Sequence, residues 1–458
     1  MDADADGRGW GRRYPREVPD VALCLDVGST YTKGAAVELG TGHLLGTAEH
    51  RTTLDGDVLD GVAAVRAELN VAVDAPTYAC SSAGGGLRLA VVGYEREISA
   101  EAGRRVALSA GARVVYVGAG RLDRAARVAL AAARPDVILL TGGTDGGEES
   151  VLLHNAAALA AAHPRVPVVV AGNGAVREEA AGMLAVRRRL VFPTTNVLPD
   201  IGVIEPGPAR EAIRAVFLRH VIGGKGLSRG PRFARLVSAV TPDAVLEGVA
   251  LLGGLVRAAD AGARGVVVVD VGGATTDVYS ALAPEDSRSA VAPLWDRRTV
   301  EGDLGMRWSA ESLLAAADAE RLDVRGLAQP AARRTAAVDL LPTTAAERAV
   351  DARLGALAVI VALRRHVREE GVYDEGSVSA SGASLVVLSG GVFRHLDAAA
   401  RGSLIDALRA DRGGARAVLD RARVVVDDSY LLAPAGLLRT AHPVTARRLV
   451  TTLLSRDP

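Results

Sequence analysis

The chain has 458 residues, of which 49% are hydrophobic but only 3% are aromatic, so Val, Leu and Ala must fill most of the interior of two or three domains. Its 54 basic and 54 acidic residues cancel, and a net charge of zero gives no support to binding of nucleic acid or an acidic membrane. Two cysteines, no apolar run of eighteen residues and no secretion signal argue against a disulfide framework, a zinc site and a membrane span, and they predict a cytoplasmic protein.

The first strand of the chain ends in a glycine turn. Residues 1–18 are polar and are expected to form a disordered tail. An apolar run at 21–27, typical of a strand buried on both faces, ends in Asp26-Val27-Gly28-Ser29-Thr30, and a hairpin partner is predicted at 33–39. Lys33 is one of two lysines among the 54 basic residues. Its compact ammonium could reach a phosphate oxygen. An equal alternative is that this lysine lies at a surface position and is retained by chance.

The next segment alternates between predicted strands and helices. Apolar strands at roughly 88–93, 113–118, 136–141, 166–171 and 189–192 alternate with helical stretches, which predicts a parallel, doubly wound insertion. No Gly-x-Gly-x-x-Gly follows its first strand, which argues against dinucleotide binding. The loop Gly142–Gly147 follows an apolar strand and is either a ligand or partner contact or a flexible turn.

A second aspartate-glycine turn and a third glycine turn follow later in the chain. Val266–Val269 leads into Asp270-Val271-Gly272-Gly273-Ala274-Thr275-Thr276-Asp277, and a further strand ends at Leu388-Ser389-Gly390-Gly391. Each turn taken alone is also compatible with an ordinary β-hairpin. Three of them, each after a buried strand, predict a nucleotide held between two similar lobes.

The chemistry of these turns suits a polyphosphate with a metal ion. Glycine lets backbone N–H groups approach an anion, and Ser and Thr hydroxyls add donors. Carboxylates repel phosphate, so Asp26 and Asp270 are predicted to act on Mg²⁺ through its waters. The predicted nucleotide-binding residues are Asp26, Gly28, Ser29, Thr30, Lys33, Asp270, Gly272, Gly273, Thr275, Thr276, Asp277, Gly302, Gly390 and Gly391.

In the order of these motifs the chain resembles the superfamily of acetate and sugar kinases, heat-shock-70 proteins and actin. The resemblance implies ATP and Mg²⁺ as cofactors and an α/β fold with two actin-like, ribonuclease H-like lobes. The first lobe would span 19–261 with its insertion at about 85–195, and the second 262–396 with a helical insertion at about 310–375. Residues 397–458 would pack back on the first lobe. The superfamily often brings a loop such as Glu301–Arg307 to the nucleotide, with a solvent-exposed hairpin tip as the alternative.

A closer resemblance is to the accessory proteins of adenosylcobalamin-dependent glutamate (methylaspartate) mutase, the GlmL or MutL family. It is carried by Asp26–Lys33, Ala79-Cys80-Ser81-Ser82-Ala83, Gly142–Gly147, Asp270–Asp277 and Glu301–Gly305. The resemblance implies a chaperone-like reactivase and slow ATPase, which uses ATP to exchange damaged cobalamin for intact coenzyme on the mutase.

Two finer expectations follow from resemblance. Heat-shock-70 relatives carry an acidic residue on the helix before the second turn that orients the attacking water. Glu247 is the candidate here, with a solvated helix residue as the alternative. The insertion is similar to flavodoxin-like cobalamin-binding domains but lacks their ligand histidine, so it would copy the shape of the mutase's small subunit or be an ordinary α/β insertion.

Three other functions share this pattern. A small-molecule kinase needs a substrate pocket, and an actin-like assembly protein would form filaments with ATP. An activator of a radical dehydratase needs cysteines for an iron–sulfur cluster between subunits, to which Cys24 in a strand is ill suited.

Overall fold

The computed structural model describes residues 20–455. The gaps within this range are 29, 54–55, 84–86, 96–97, 110–111, 163–165, 187–188, 202, 218–226, 284–294, 371–379, 381, 395 and 397. The predicted tail at 1–18 and the predicted ligand Ser29 therefore lie outside the described residues.

The first sheet contains the strand that carries Asp26. Its order is β10-β4-β1-β2-β3, in which β1, β2 and β3 are antiparallel neighbours and β4 and β10 run parallel to β1. The strands are β1 (Val21–Val27), β2 (Tyr31–Glu38), β3 (Leu44–Arg51), β4 (Thr77–Ser81) and β10 (Val237–Val240). The predicted strand at 21–27 is therefore central, and its apolar side chains are buried on both faces.

The second sheet repeats this topology. Its order is β13-β12-β11-β14-β15, again with three antiparallel strands followed by two that run parallel to the central one. The strands are β11 (Gly265–Val271), β12 (Thr276–Leu282), β13 (Trp295–Glu301), β14 (Leu385–Ser389) and β15 (Arg423–Asp427). Two sheets with one order and one set of directions confirm the predicted two-lobed, actin-like ATPase fold.

The third sheet is the predicted insertion. All its strands are parallel, in the order β6-β5-β7-β8-β9. The strands are β5 (Arg88–Gly93), β6 (Arg113–Ala119), β7 (Val137–Leu140), β8 (Val168–Val170) and β9 (Val191–Pro193). The helices between them are α2 (Ser99–Ser109), α3 (Arg124–Ala132), α4 (Ser150–Ala161) and α5 (Arg177–Ala185). This is the flavodoxin-like variant of the doubly wound fold, which confirms the predicted parallel insertion.

The other helices join and cover the sheets. In and after the first lobe they are α1 (Val58–Glu68), α6 (Pro206–Val216), α7 (Arg232–Leu236) and α8 (Thr241–Ala259). The second lobe contains α9 (Ala310–Ala319), α10 (Ala328–Ala336), α11 (Ala345–Glu370) and α12 (Gly391–Arg394). The last helices are α13 (Ala398–Arg409), α14 (Ala415–Leu419), α15 (Leu432–Leu438) and α16 (Pro443–Leu454).

The C-terminal segment divides between the lobes, unlike the segment expected to pack on the first lobe from residue 397. Strand β15 pairs with β14, and α13 and α14 pack on α11, so residues up to 427 belong with the second lobe. Later in the segment, α15 and α16 pack against α8, and α15 also contacts β1 and β4. The reason is that β15 is an apolar run that completes the second sheet.

Helices α8 and α15 cross at unusually close range. A Cβ added to Gly436 would lie 1.8 Å from the carbonyl oxygen of Ala244, and one added to Gly248 would lie 2.1 Å from that of Leu432. Only glycine permits this approach of two backbones. The crossing fixes the start of α8 and the loop before α15 relative to each other.

Helix α6 connects the insertion to both lobes. Arg210 lies 3.3 Å from the carboxylate of Asp296 on β13, and Arg214 lies 2.6 Å from that of Asp243 in the first turn of α8. Asp243 is almost completely buried. The insertion is thus held to the second lobe and to α8 by separate ion pairs.

Candidate functional site

The two predicted metal-binding aspartates lie at the same place in the two sheets. Asp26 is near the carboxyl end of β1 and Asp270 near that of β11. Both line one cavity of about 240 Å³. Each turn does join antiparallel strands, as the hairpin alternative requires, and the two hairpins nevertheless bring the carboxylates to a shared cleft.

Asp26 is held in place by its neighbours. The Thr241 hydroxyl, at the start of α8, donates to Oδ1 of Asp26 at 2.5 Å, and the Cys80 thiol lies 3.7 Å from the same oxygen. Burial raises the pKa of Asp26, and the charge of Asp270 adds to the rise, while Lys33 and the Thr241 hydroxyl act in the opposite direction. Two carboxylates that repel each other in a buried cleft make a favourable place for a cation.

Lys33 and Asp277 occupy matching positions in the two lobes but have different partners. Lys33 pairs with Asp26 across β1 and β2, and Asp277 pairs with Asp270 across β11 and β12. The Lys33 ammonium lines the cavity, 3.7 Å from the centre of the Tyr430 ring. The carboxylate of Asp277 accepts two hydrogen bonds from Arg298, at 2.8 and 3.2 Å. Lys33 therefore faces the cleft, whereas Asp277 is engaged by an arginine.

The charge on Lys33 is maintained despite burial. Burial alone would lower the pKa of its ammonium. Tyr430 and the two aspartates outweigh burial and raise that pKa, so the side chain stays protonated at neutral pH. Burial raises the pKa of Asp277, and Arg298 only partly offsets this rise.

The two glycine turns have the same hydrogen bond. The Gly28 N–H donates to the Tyr31 carbonyl at 3.0 Å, and the Gly272 N–H donates to the Thr275 carbonyl at 2.9 Å. A Cβ on Gly28 would lie 2.8 Å from the Tyr31 oxygen, so this tight turn requires glycine. Thr30 and Gly273 are exposed at the tips of the turns.

The threonines of the second turn are partly engaged by the protein. The buried Thr276 hydroxyl donates to the Leu304 carbonyl at 2.6 Å, and the Thr275 hydroxyl lies 3.4 Å from the carboxylate of Asp277. Thr276 thus fastens the following loop, while Thr275 is half-buried at the turn.

The loop after β13 packs on the second turn. The N–H groups of Met306 and Arg307 donate to the carbonyls of Gly272 and Gly273 at 3.0 and 2.8 Å. A Cβ on Gly305 would lie 2.4 Å from Ala274, so the contact needs glycine. The Ser309 hydroxyl donates to the carbonyls of both Ala274 and Gly302. The predicted ligand Gly302 therefore lies in a loop that supports the second turn.

The third glycine turn lies against the end of β11. Gly390 has φ of 121°, and a Cβ there would lie 2.3 Å from the Val271 carbonyl oxygen. Gly391 begins α12 and has open space around it. Ser389, just before the turn, pairs with Asp270 and lines the cavity. Gly390 and Gly391, both predicted ligands, are not among the residues that line the cavity.

The family follows from comparison with known proteins. The sequence profile of the family described as MutL protein matches residues 22–454. The chain is also 34% identical, over 460 residues, to Protein MutL of Clostridium tetanomorphum, and the match covers 94% of this chain and 98% of that one. The chain belongs to the MutL family.

Solved structures similar to this MutL-family chain share little sequence with it. An activator of 2-hydroxyisocaproyl-CoA dehydratase from Clostridium difficile, with bound ADPNP, is 11% identical with a TM-score of 0.31, covering 96% of this chain and 99% of that one. Gluconate kinase from Lactobacillus acidophilus is 9% identical with a TM-score of 0.36, covering 94% and 92%. We assign the fold from strand order and direction.

One predicted catalytic residue of the MutL-family chain lies away from the others. Glu247 is on α8 but is not among the residues lining the cavity, and its carboxylate pairs with Arg439 near α15. Both side chains are partly exposed. The structure therefore brings Asp26, Asp270 and Lys33 together and leaves Glu247 outside their cavity.

The cavity residues of the MutL-family chain that escaped prediction include Thr241, Arg394, Asp427 and Tyr430. Asp427 carried a usable signal, because it ends an apolar strand as Asp26 and Asp270 nearly do. Thr241 precedes Pro242 at the start of a helix, which is a recognisable helix start. Arg394 ends the short helix α12 and Tyr430 lies in the loop after β15, and nothing local in the sequence distinguishes them.

Two further features of the described ranges concern metal ions and membranes. No group of three or more His, Cys, Asp or Glu side chains is arranged there to hold a metal ion. None of the helices in the part of the chain that the structure describes is long and apolar enough to span a bilayer.

Proposed function

We propose that the chain binds Mg²⁺-ATP between its lobes and uses ATP hydrolysis to reactivate an adenosylcobalamin-dependent mutase, of the glutamate mutase type, by exchanging damaged cobalamin for intact coenzyme. The observation that carries the nucleotide part is the shared cavity of Asp26, Lys33 and Asp270. Family membership supports the part that concerns the mutase.

The residues of the cavity fit a polyphosphate and Mg²⁺. Magnesium keeps several waters and takes one or two carboxylates from a protein, as Asp26 and Asp270 would supply. When bound, it would neutralise charge on the terminal phosphates. The cavity of about 240 Å³ is smaller than the roughly 300 Å³ at which ligand pockets usually begin, so it would hold the phosphate end of the nucleotide.

Each side chain would have a distinct task. Thr241 fixes the orientation of Asp26 by its hydrogen bond. Lys33 would contribute a positive charge to the terminal phosphate from the first lobe. The N–H groups at the tips of the two glycine turns would meet phosphate oxygens from opposite sides. Closure of the lobes around ATP, and reopening after hydrolysis, would then drive the exchange on the mutase.

The alternatives find less support. The polar residues that line this cavity are the ones proposed for ATP and Mg²⁺, and family membership favours a mutase partner over the sugar substrate of a kinase. Cys24 is buried, and burial raises the pKa of its thiol to about 12, so it is a poor ligand for a cluster between subunits.

The proposal is tested by recovery of a cobalamin-inactivated mutase. The mutase is incubated with the chain, coenzyme and ATP, and its activity is followed with time. We expect recovery with wild type and ATP, and none with Asp270→Ala. Asp323→Asn is the matched control, because Asp323 is exposed and does not line the cavity.

Three outcomes would count against the proposal. Equal recovery without ATP would refute the ATP-dependent mechanism. Failure of wild type to bind ATP in calorimetry would refute the nucleotide site itself. ATP-dependent light scattering without mutase recovery would instead favour an actin-like assembly protein.

A further inference from the structure

Two cations flank the ring of Tyr430. The Lys33 ammonium nitrogen lies 3.7 Å from the ring centre, and the guanidinium carbon of Arg394 lies 3.7 Å from the same point. The two cations, one from each lobe, therefore contact the same ring.

The backbone around Tyr430 is held in an uncommon conformation. Its φ of 51° is in the left-handed region, which a bulky side chain rarely adopts. Both carboxylate oxygens of Asp427 accept from the N–H of Leu431, at 3.1 and 2.9 Å, and so close the loop around Tyr430. The Arg394 guanidinium also donates to the Asp428 carbonyl at 2.8 Å. Strain maintained by such contacts is typical of functional positions.

The stack joins the two lobes. Lys33 and Glu49 are paired neighbours on β2 and β3 of the first sheet. Arg394 ends α12, and Tyr430 follows β15, so both come from strand ends of the second sheet. Arg394 reaches across to the carboxylate of Glu49 at 3.4 Å. The ring can meet Lys33 only when these ends of the sheets face each other.

We propose that Tyr430 is a positioning residue for Lys33: its ring, backed by Arg394, holds the ammonium in the cleft where it meets the terminal phosphate of ATP. This inference rests on the proposed nucleotide site. Without the ring, the ammonium would swing onto the carboxylate of Asp26, its neighbour across β1 and β2. A lysine bound there would both leave the phosphate and occupy a ligand of the magnesium ion.

A different result is expected if the Tyr430 ring merely fills space. Its loss would then lower the stability of the protein and weaken the binding of all nucleotides alike. Loss of a positioning residue weakens ATP more than ADP, because Lys33 is aimed at the phosphate that only ATP carries. The ratio of the two affinities therefore separates the explanations.

The experiment measures ATP and ADP affinity with Mg²⁺ by calorimetry on the full chain. We expect Tyr430→Leu and Lys33→Met each to weaken ATP binding by about tenfold and ADP binding by less than about threefold, as for loss of one cation–π contact or one charge. The double variant is expected to be no weaker than Lys33→Met alone, since both act through one ammonium. Tyr116→Leu is the matched control, because Tyr116 is a half-buried tyrosine of β6 that does not line the cavity, and it is expected within about twofold of wild type.

The outcomes separate this inference from the proposed function. If wild type binds no ATP, the nucleotide site fails and the inference fails with it. If wild type binds ATP and Asp270→Ala does not, but Tyr430→Leu keeps the wild-type ratio of affinities, only the positioning role is overturned. Additive losses in the double variant would overturn it too. Should Tyr430→Leu not fold, Arg394→Met decides. It removes the second cation from the ring and is expected to lower the ratio of ATP affinity to ADP affinity. An unchanged ratio of affinities refutes the role.

Discussion

The close crossing of α8 and α15 predicts a large effect of one added methyl group. In Gly436→Ala the new Cβ would lie 1.8 Å from the Ala244 oxygen, whereas ordinary contacts begin near 3.4 Å. The neighbouring atom is backbone and cannot swing away, so the helices must separate by about 1.6 Å, the difference between these distances. Overpacking of this kind costs about 1–3 kcal/mol, and we expect the upper end, about 3 kcal/mol of unfolding free energy.

The same displacement should reach the nucleotide site. Helix α8 begins at Thr241, which binds Asp26, and α15 begins two residues after Tyr430. We therefore expect Gly436→Ala to weaken ATP binding as well as to lower the urea concentration at the midpoint of unfolding.

A control for this prediction lies in the same helix. Gly254 on α8 is exposed, with no atom within 4 Å of an added Cβ. Gly254→Ala should therefore stabilise the protein by about 0.5–1 kcal/mol through helix propensity. Both are measured by urea unfolding followed by circular dichroism. A Gly436→Ala protein within about 1 kcal/mol of wild type would refute the argument from close packing.

Three further predictions concern single polar side chains. Burial, only partly offset by Arg214 and other arginines, raises the pKa of Asp243 from 3.8 to about 6. The folded state therefore holds this proton more tightly than the unfolded chain, so the contribution of Asp243 to stability is complete below about pH 4 and is lost as pH rises through 6, by about 2 kcal/mol between pH 4.5 and 7. Asp243→Asn should remove this fall in urea unfolding at the two pH values, and an unchanged slope would contradict it. Asn173 is buried and makes hydrogen bonds of 2.9–3.2 Å to four backbone groups of the loops after β7 and β8. Asn173→Ala should therefore lower the free energy of unfolding by about 3 kcal/mol. It should also speed hydrogen exchange at 143–148, while ATP affinity stays constant. Glu247→Gln should change stability by less than about 1 kcal/mol, as for an exposed ion pair, and leave ATP turnover unchanged because Glu247 pairs with Arg439 outside the cavity. A large loss of turnover with normal ATP binding would instead support the water-orienting role.

The sequence predicted the parts of the site that have local signals. Asp26 and Asp270 could be found because each ends a buried apolar strand and precedes a glycine turn, so one strand carries the whole pattern. The parallel insertion was readable for the same reason, since its strands are short apolar runs separated by helices.

Contacts between distant parts of the chain could not be predicted in this way. Tyr430 meets Lys33 only because β15 completes the second sheet and faces the first. Parallel strands pair through long crossovers, so the apolar run of β15 does not reveal its neighbour, and the boundary expected at 397 fell in the wrong place for β15. Glu247 had the spacing of a catalytic acid, but rotation around α8 decides its direction, and spacing along the chain did not reveal Arg439.

The ion pairs of α6 restrict how the molecule can move. Arg210 binds the edge strand of one lobe, and Arg214 binds the helix that precedes that lobe. If the lobes part, the insertion must either break the contact with Asp296 or travel with β13. In the proposed cycle of lobe closure and reopening, a protein bound to the insertion would thus be displaced together with β13.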